Sequence, residues 1–149
     1  MALLIIGYGN PLRGDDAFGY RAAEELQASF IDHREAVVLP VHQLTPELAA
    51  DIARAARVVF IDAAAEGEPG RLASRSVVPA SGGAAFTHSA TPEGLLAMAL
   101  ALYGTAPPAV LYSVPGESFA YGAPLSPAVE RALAAVVREV GAEIAAARA

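Results

Sequence analysis

The segment "LLIIGYGNPLRGDDAFG", residues 3–19, joins a short apolar run to a helix-like stretch through a glycine-rich turn that ends in two aspartates. A dinucleotide-binding loop has the pattern G-x-G-x-x-G, but Leu12 stands where its third glycine would be. Asp15 and Asp16 would also repel a phosphate at the helix N-terminus. The segment therefore predicts a strand–loop–helix unit without a phosphate site. Two interpretations stay open: a simple helix cap, or a site built on carboxylates.

Composition narrows the possible chemistry. The 149 residues suit one domain spanning 1–149. The chain has no cysteine and every basic residue is arginine, which excludes disulfides, thiolate ligands, Schiff-base lysines and a Walker-type lysine. The net charge is −6 without any basic cluster, so we expect no nucleic-acid partner.

Membrane insertion and secretion are not expected either. The apolar run "LLAMALALY", residues 95–103, is much shorter than the roughly 20 residues of a membrane span. The N-terminus "MALLIIGYG" lacks the basic region of a signal peptide. We therefore expect a cytoplasmic protein with no membrane partner.

The order of apolar runs and helical patterns predicts an α/β fold. Continuous apolar runs are typical of strands buried on both faces, and helical segments separate most of them. The connection "AAAEGEPG" is too short for a helical crossover, so the fourth strand is expected to be antiparallel. We predict a three-layer α/β/α domain with a mixed five-stranded sheet, whose strands are "ALLIIGY", "AVVLPV", "RVVFIDA", "SRSVVP" and "AVLYSV".

Three helix starts share one signature, a hydroxyl residue followed by proline. Thr45, Thr91 and Ser126 each stand at the predicted N-cap, with proline at the first helical position. A further helix is predicted from about Asp16 to Ser29, with Phe18, Ala22 and Leu26 on its buried face. The helix after Thr45 is predicted to bury Leu48, Ile52 and Ala56, and the last helix to bury Val129, Leu133, Val136, Val137, Val140 and Ile144.

Two more polar residues occupy positions where an α/β sheet usually binds ligands. Asp62 ends the third predicted strand, and His88 lies in a glycine-rich loop before a helix. Singly, each is also compatible with a cap, a solvated strand end or an exposed loop histidine. Together with Asp16, they form a mixed oxygen and nitrogen set that suits zinc or nickel and leaves ligand positions open. No G-x-S-x-G or H-E-x-x-H motif is present.

Four blocks, in order along the chain, resemble the hydrogenase maturation proteases, the endopeptidases that trim the large subunit of nickel-iron hydrogenases. The first block matches the family signature G-x-G-N-x-L-x-x-D-[DE]-x-x-G over its full length. The others are "RVVFIDAAAEGEPG", "THSATPEGLLAMA" and "ESFAYGAPLSPAVERAL". The resemblance implies a mixed α/β/α sheet and an aspartic-type endopeptidase that removes a C-terminal peptide from the precursor large subunit after nickel insertion.

The same resemblance assigns roles to individual residues. Asp16, Asp62 and His88 correspond to the catalytic, metal-contacting positions, the first of which is Glu or Asp in the family. The nickel is carried by the substrate, and we expect no tightly held metal in the resting enzyme. The residues expected to shape or support the loop are Gly9, Asn10, Gly14, Asp15 and His42, with Asp15 and Asp16 able to exchange roles.

Two alternatives to the protease remain at this point. The first is a non-catalytic nickel-sensing or chaperone-like binding module on the same scaffold, because fold does not fix function. The second, weaker alternative is a nucleotide-binding α/β domain.

Overall fold

The computed structural model describes residues 1–81 and 90–147 of the chain. It has five strands and four α-helices, and a 3-10 turn at Gly14–Ala17 precedes the first helix. The strands are β1 Leu3–Tyr8, β2 Ala36–Val41, β3 Arg57–Ala64, β4 Ala73–Val77 and β5 Ala109–Pro115. The helices are α1 Phe18–Ser29, α2 Leu48–Arg54, α3 Pro92–Tyr103 and α4 Pro127–Ala146.

The five strands form one mixed sheet in the order β2-β1-β3-β5-β4. All neighbours are parallel except β4, which runs antiparallel to β5. The connection from β3 to β4 passes over the carboxyl end of β5, where Gly70 donates a hydrogen bond to the carbonyl of Pro115. The predicted fold and the direction of β4 are confirmed.

Helices cover both faces of the sheet because successive strand residues point to opposite sides. On one face, Leu3 and Ile5 pack with residues of α1 and α4. On the other face, Leu4 and Ile6 pack with residues of α2 and α3. The predicted inner face of α1 is completely buried, and so is most of that of α4, where Val137 is only partly buried.

The three predicted helix caps have three different outcomes. Thr91 caps α3 as predicted, since its hydroxyl accepts a hydrogen bond from the Gly94 amide at 3.0 Å. The prediction for Thr45 is wrong: α2 begins at Leu48, because the amide of Leu48 bonds back to the Thr45 carbonyl and forms a tight turn first. Ala56 lies beyond α2 and is exposed.

Ser126 is the N-cap residue of α4, but its hydroxyl does not cap the helix. It donates instead to Oδ2 of Asp15, 2.9 Å away and 111 residues earlier in the chain. Similarly, α1 begins at Phe18 rather than near Asp16, since the 3-10 turn occupies the preceding positions.

The parallel strands β1, β3 and β5 all end at one side of the sheet, which we call the carboxyl edge. In open α/β sheets, ligands bind at this edge. The loops that follow β1 and β5 meet there, so residues 9–17 lie against residues 116–126. In residues 1–81 and 90–147, no helix is both long enough and apolar enough to cross a membrane.

Candidate active site

Two glycines allow the loop after β1 to pass very close to other backbone segments. Gly9 has φ +149°, and a Cβ at this position would lie 2.0 Å from the carbonyl oxygen of Asp16. Gly14 has φ +52°, and its Cβ would lie 2.5 Å from the carbonyl oxygen of Ser118. Real Cβ atoms do not approach so closely, so both positions require glycine. The predicted loop-shaping role of Gly9 and Gly14 has a direct steric basis.

Asn10 braces this loop and orients Asp16. The side-chain oxygen of Asn10 accepts a hydrogen bond from the Leu12 amide at 2.9 Å, which closes a local turn. The Asn10 amide donates to Oδ2 of Asp16 at 2.8 Å. Within the described residues, no hydrogen bond reaches the other oxygen, Oδ1 of Asp16. The carboxylate of Asp16 is therefore fixed through one oxygen and has the other available for a ligand.

Asp15 is completely buried and has a different role. Its carboxylate accepts hydrogen bonds from the amides of Glu117 (2.7 Å), Ser118 (3.3 Å) and Ser126 (2.7 Å), and from the Ser126 hydroxyl. Burial alone would raise the pKa of Asp15, but these donors outweigh it and hold the pKa below its ordinary value. Asp15 joins the loop after β1 to the loop after β5, so its side chain is already fully engaged.

Asp62 lies near the carboxyl end of β3 and is half-buried. Its Oδ1 accepts a hydrogen bond from the amide of Ala63 at 2.7 Å. The pKa of Asp62 is raised to about 7, chiefly by burial; hydrogen bonds from Ala63 and Tyr8 oppose this rise, and the negative charge of Asp16 adds to it. A carboxyl group with this pKa can gain or lose a proton near neutral pH.

Tyr8 is a site residue that the sequence interpretation missed. It ends β1, one residue after the Gly7–Ile61 register pair, which brings it beside Asp62 on the neighbouring strand. Its hydroxyl lies within hydrogen-bonding reach of the Asp62 carboxylate. Burial, followed by the charge of Asp62, raises the pKa of Tyr8 well above its ordinary value, so it acts as a neutral donor. The alternation of Leu4, Ile6 and Tyr8 on one face of the strand could have indicated from the sequence that Tyr8 lies at the strand end beside the site.

The structure places the two predicted histidines differently. His42 is exposed after the end of β2, and its ring lies 5.2 Å from that of Tyr20 between centroids. In the sheet order, β1 separates β2 from β3, so His42 and Asp62 follow strands that are not neighbours. His88 lies outside the described residues. Among residues 1–81 and 90–147 alone, no group of three or more His, Asp or Glu side chains could hold a metal ion.

A groove of about 540 Å³ lies away from this edge, between α1 and β2. It is lined by Gln27, whose side-chain amide donates to the Val38 carbonyl at 3.1 Å and covers part of the free strand edge. This groove is not lined by Asp16, Asp62 or Tyr8. The chemistry of the described residues is therefore concentrated at the carboxyl edge.

The fold and the paired carboxylates define an α/β domain with an acidic site at its carboxyl edge, an arrangement that can bind a cation and exchange a proton. Several solved structures share this fold. A NiFe hydrogenase maturation protease of Thermococcus kodakarensis superimposes with a TM-score of 0.76 at 24% identity, over 96% of this chain and 91% of that chain.

Two further structures are somewhat more similar in sequence. A hydrogenase 2 maturation peptidase of a Thaumarchaeota archaeon has 26% identity and a TM-score of 0.67, over 97% of this chain and 98% of that one. A hydrogenase maturating endopeptidase of Escherichia coli has 26% identity and a TM-score of 0.66, over 97% and 92%. No protein-family model matches the chain, and no curated protein matches it. The predicted resemblance is confirmed: the solved structures that share this fold, two of them at 26% identity, are hydrogenase maturation peptidases.

Proposed function

We propose that this protein removes a C-terminal peptide from the precursor large subunit of a nickel-iron hydrogenase after nickel insertion, and that it recognises the nickel already bound to that substrate. The single observation that carries the proposal is the approach of Asp16 and Asp62 at the carboxyl edge of a maturation-protease fold. Asp16 comes from the loop after β1 and Asp62 from β3, so the tertiary structure unites them.

The carboxylates suit contact with a substrate-borne cation. Asp16 keeps Oδ1 without a hydrogen bond from the described residues, and a positive ion between the two aspartates would offset their mutual repulsion. His88 would supply the nitrogen ligand of the set. A nickel ion can polarise a carbonyl group or lower the pKa of a water molecule. The resting enzyme would hold metal weakly, because the proposed set has only three protein ligands.

Asp62 would also move a proton during hydrolysis. In the metal-free site its pKa is about 7, so it can release its proton as the substrate's nickel approaches, and the resulting carboxylate can take a proton from an attacking water molecule and give it to the departing amine. The Tyr8 hydroxyl would orient the Asp62 carboxylate by donating a hydrogen bond to it. This division leaves Asp15 with the structural task, since its carboxylate is fully occupied.

The test uses a purified, nickel-loaded precursor large subunit and intact-protein mass spectrometry. Asp16→Asn, Asp62→Asn and His88→Ala are each expected to slow processing by about a hundredfold or more, while circular dichroism shows a folded protein. Asp32→Asn and His33→Ala are matched controls, because neither residue lies at the carboxyl edge. Wild-type processing rates in all three site variants would contradict the proposed roles.

A further inference from the structure

The loop after β1 and the loop after β5 are joined by hydrogen bonds and form an exposed surface beside Asp16. The Gly122 amide donates to the Leu12 carbonyl at 2.8 Å, and Nε of Arg13 donates to the Phe119 carbonyl at 3.2 Å. The guanidinium carbon of Arg13 lies 5.3 Å from the centre of the Tyr121 ring. We call the surface made by Leu12, Arg13 and Tyr121 the rim platform.

Two large apolar side chains of the rim platform are in contact with solvent. Leu12 is 67% exposed and Tyr121 is 74% exposed, although the backbone beneath both is held by hydrogen bonds. The contact with Arg13 covers only part of the tyrosine ring. Adjacent exposed apolar groups on an ordered surface are typical of a site where a protein partner binds.

Arg13 gives the rim platform a positive charge that no described acidic residue neutralises. Among residues 1–81 and 90–147, four other arginines form ion pairs with carboxylates: Arg54, Arg57, Arg71 and Arg75. Arg13 makes no such pair within the described part of the chain. The neighbouring Asp16 would repel an anionic group, so a carboxylate that approaches this edge would be attracted to Arg13.

The rim platform also lies directly beside the candidate active site. The Asp16 amide donates to the Arg13 carbonyl at 3.0 Å, so the platform and the aspartate belong to one hydrogen-bonded turn. A polypeptide bound on Leu12 and Tyr121 would therefore hold its adjacent residues near Asp16. Such positioning raises the effective concentration of a scissile bond at the site.

We propose that the rim platform is the docking site for the protein substrate, with an apolar substrate side chain packed on Leu12 and Tyr121 and an acidic substrate side chain paired with Arg13. This inference rests on the proposed function for the identity of the substrate. The occupant is thus an apolar residue close to an aspartate or glutamate in the precursor.

Steady-state processing of the nickel-loaded precursor tests the apolar contact. The double variant Leu12→Ser/Tyr121→Ser is expected to raise KM about tenfold, equivalent to about 1.4 kcal/mol, with kcat changed less than about twofold. Ile31→Ser is the matched control, because Ile31 is 77% exposed but follows α1 at the other end of the helix. An unchanged KM in the double variant, or a loss confined to kcat, would overturn the docking role.

A charge exchange tests the role of Arg13. Arg13→Gln is expected to raise KM about fivefold, and Arg13→Lys to restore most of the loss, because the lysine keeps the positive charge. In Arg13→Glu, one Asp→Arg or Glu→Arg substitution in the precursor should restore binding. If no single reversal does so, the paired group is not an acidic side chain and that part of the proposal fails.

The failure of this inference can be separated from failure of the proposed function. Binding of the same precursor to immobilised enzyme is measured alongside cleavage. Precursor that binds wild type and loses affinity for Leu12→Ser/Tyr121→Ser without being cleaved would support the rim platform and contradict the endopeptidase. Normal cleavage and normal binding by the platform variants would overturn only the rim platform.

Discussion

Replacing Asp62 with asparagine should make the protein more stable at alkaline pH. In the folded protein, burial and the charge of Asp16 hold the pKa of Asp62 at about 7, against its ordinary value of 3.8. Between pH 3.8 and about pH 7, Asp62 therefore keeps its proton in the folded state but has already released it in the unfolded state. Stability should fall as pH rises through this window, and the cost is fully present above pH 7.

The size of the effect follows from the pKa difference. About three pKa units correspond to about 4 kcal/mol, since each unit is worth about 1.36 kcal/mol. The Asp62 side chain retains some contact with solvent, so we expect about half of this amount, about 2 kcal/mol. Asparagine keeps a side-chain oxygen that can accept a hydrogen bond from the Ala63 amide, and its side chain stays neutral at every pH. Asp62→Asn should thus exceed wild type by about 2 kcal/mol at pH 8, and this advantage should vanish near pH 4.

The measurement is urea unfolding of both proteins from pH 4 to pH 8, followed by far-ultraviolet circular dichroism because the chain has no tryptophan. A difference of about 2 kcal/mol corresponds to about 4–8 °C in Tm for a domain of this size. Asp32→Asn, at an exposed position, is the control and should track wild type at every pH. Parallel pH profiles for Asp62→Asn and wild type would show that ionisation of Asp62 does not lower the stability of the folded protein.

Three further predictions concern the surroundings of this site. Asp15→Asn should lower stability at pH 7 by about 3 kcal/mol in thermal unfolding, because a neutral amide replaces a carboxylate that accepts four hydrogen bonds. Since the pKa of Asp15 is lowered on folding, this loss of stability should become smaller below pH 4, and an undiminished loss at pH 3 would contradict the prediction. Ser126→Asp should lower stability by about 2 kcal/mol at pH 7, because it would place a second carboxylate beside that of Asp15, although aspartate is a good N-cap residue. A variant more stable than wild type would show that helix capping outweighs this repulsion. Tyr8→Phe should slow precursor processing about tenfold at pH 7 and move the acidic limb of the pH–rate profile to higher pH, because loss of the hydroxyl removes a hydrogen bond that lowers the pKa of Asp62. An acidic limb at the wild-type pH would argue against the positioning role of Tyr8.

The sequence predicted the fold well because its main determinants are local. Apolar runs predicted all five strands, and the short connection after Asp62 was enough to predict an antiparallel β4. The Thr91 cap was also predictable, because its hydroxyl bonds to an amide only three residues away.

The roles of Asp15 and Asp16 could not be separated in the same way. They are adjacent, and both stand just before a helix. What distinguishes them is the loop at residues 117–126, more than 100 residues away, whose donors surround Asp15. Ser126 was misinterpreted for the same reason: a local capping pattern was outcompeted by a buried carboxylate that only the tertiary structure brings near. Tyr8 was missed because its importance depends on the register between β1 and β3.

The most direct test of the central claim is intact-protein mass spectrometry of one precursor large subunit in two states, nickel-loaded and nickel-free, after incubation with the wild-type protein. We expect loss of a C-terminal peptide from the nickel-loaded precursor and none from the nickel-free form. Equal cleavage of both forms would contradict recognition of substrate-bound nickel. Nickel-dependent binding of a matched precursor without any change in its mass would contradict the endopeptidase and favour the binding module.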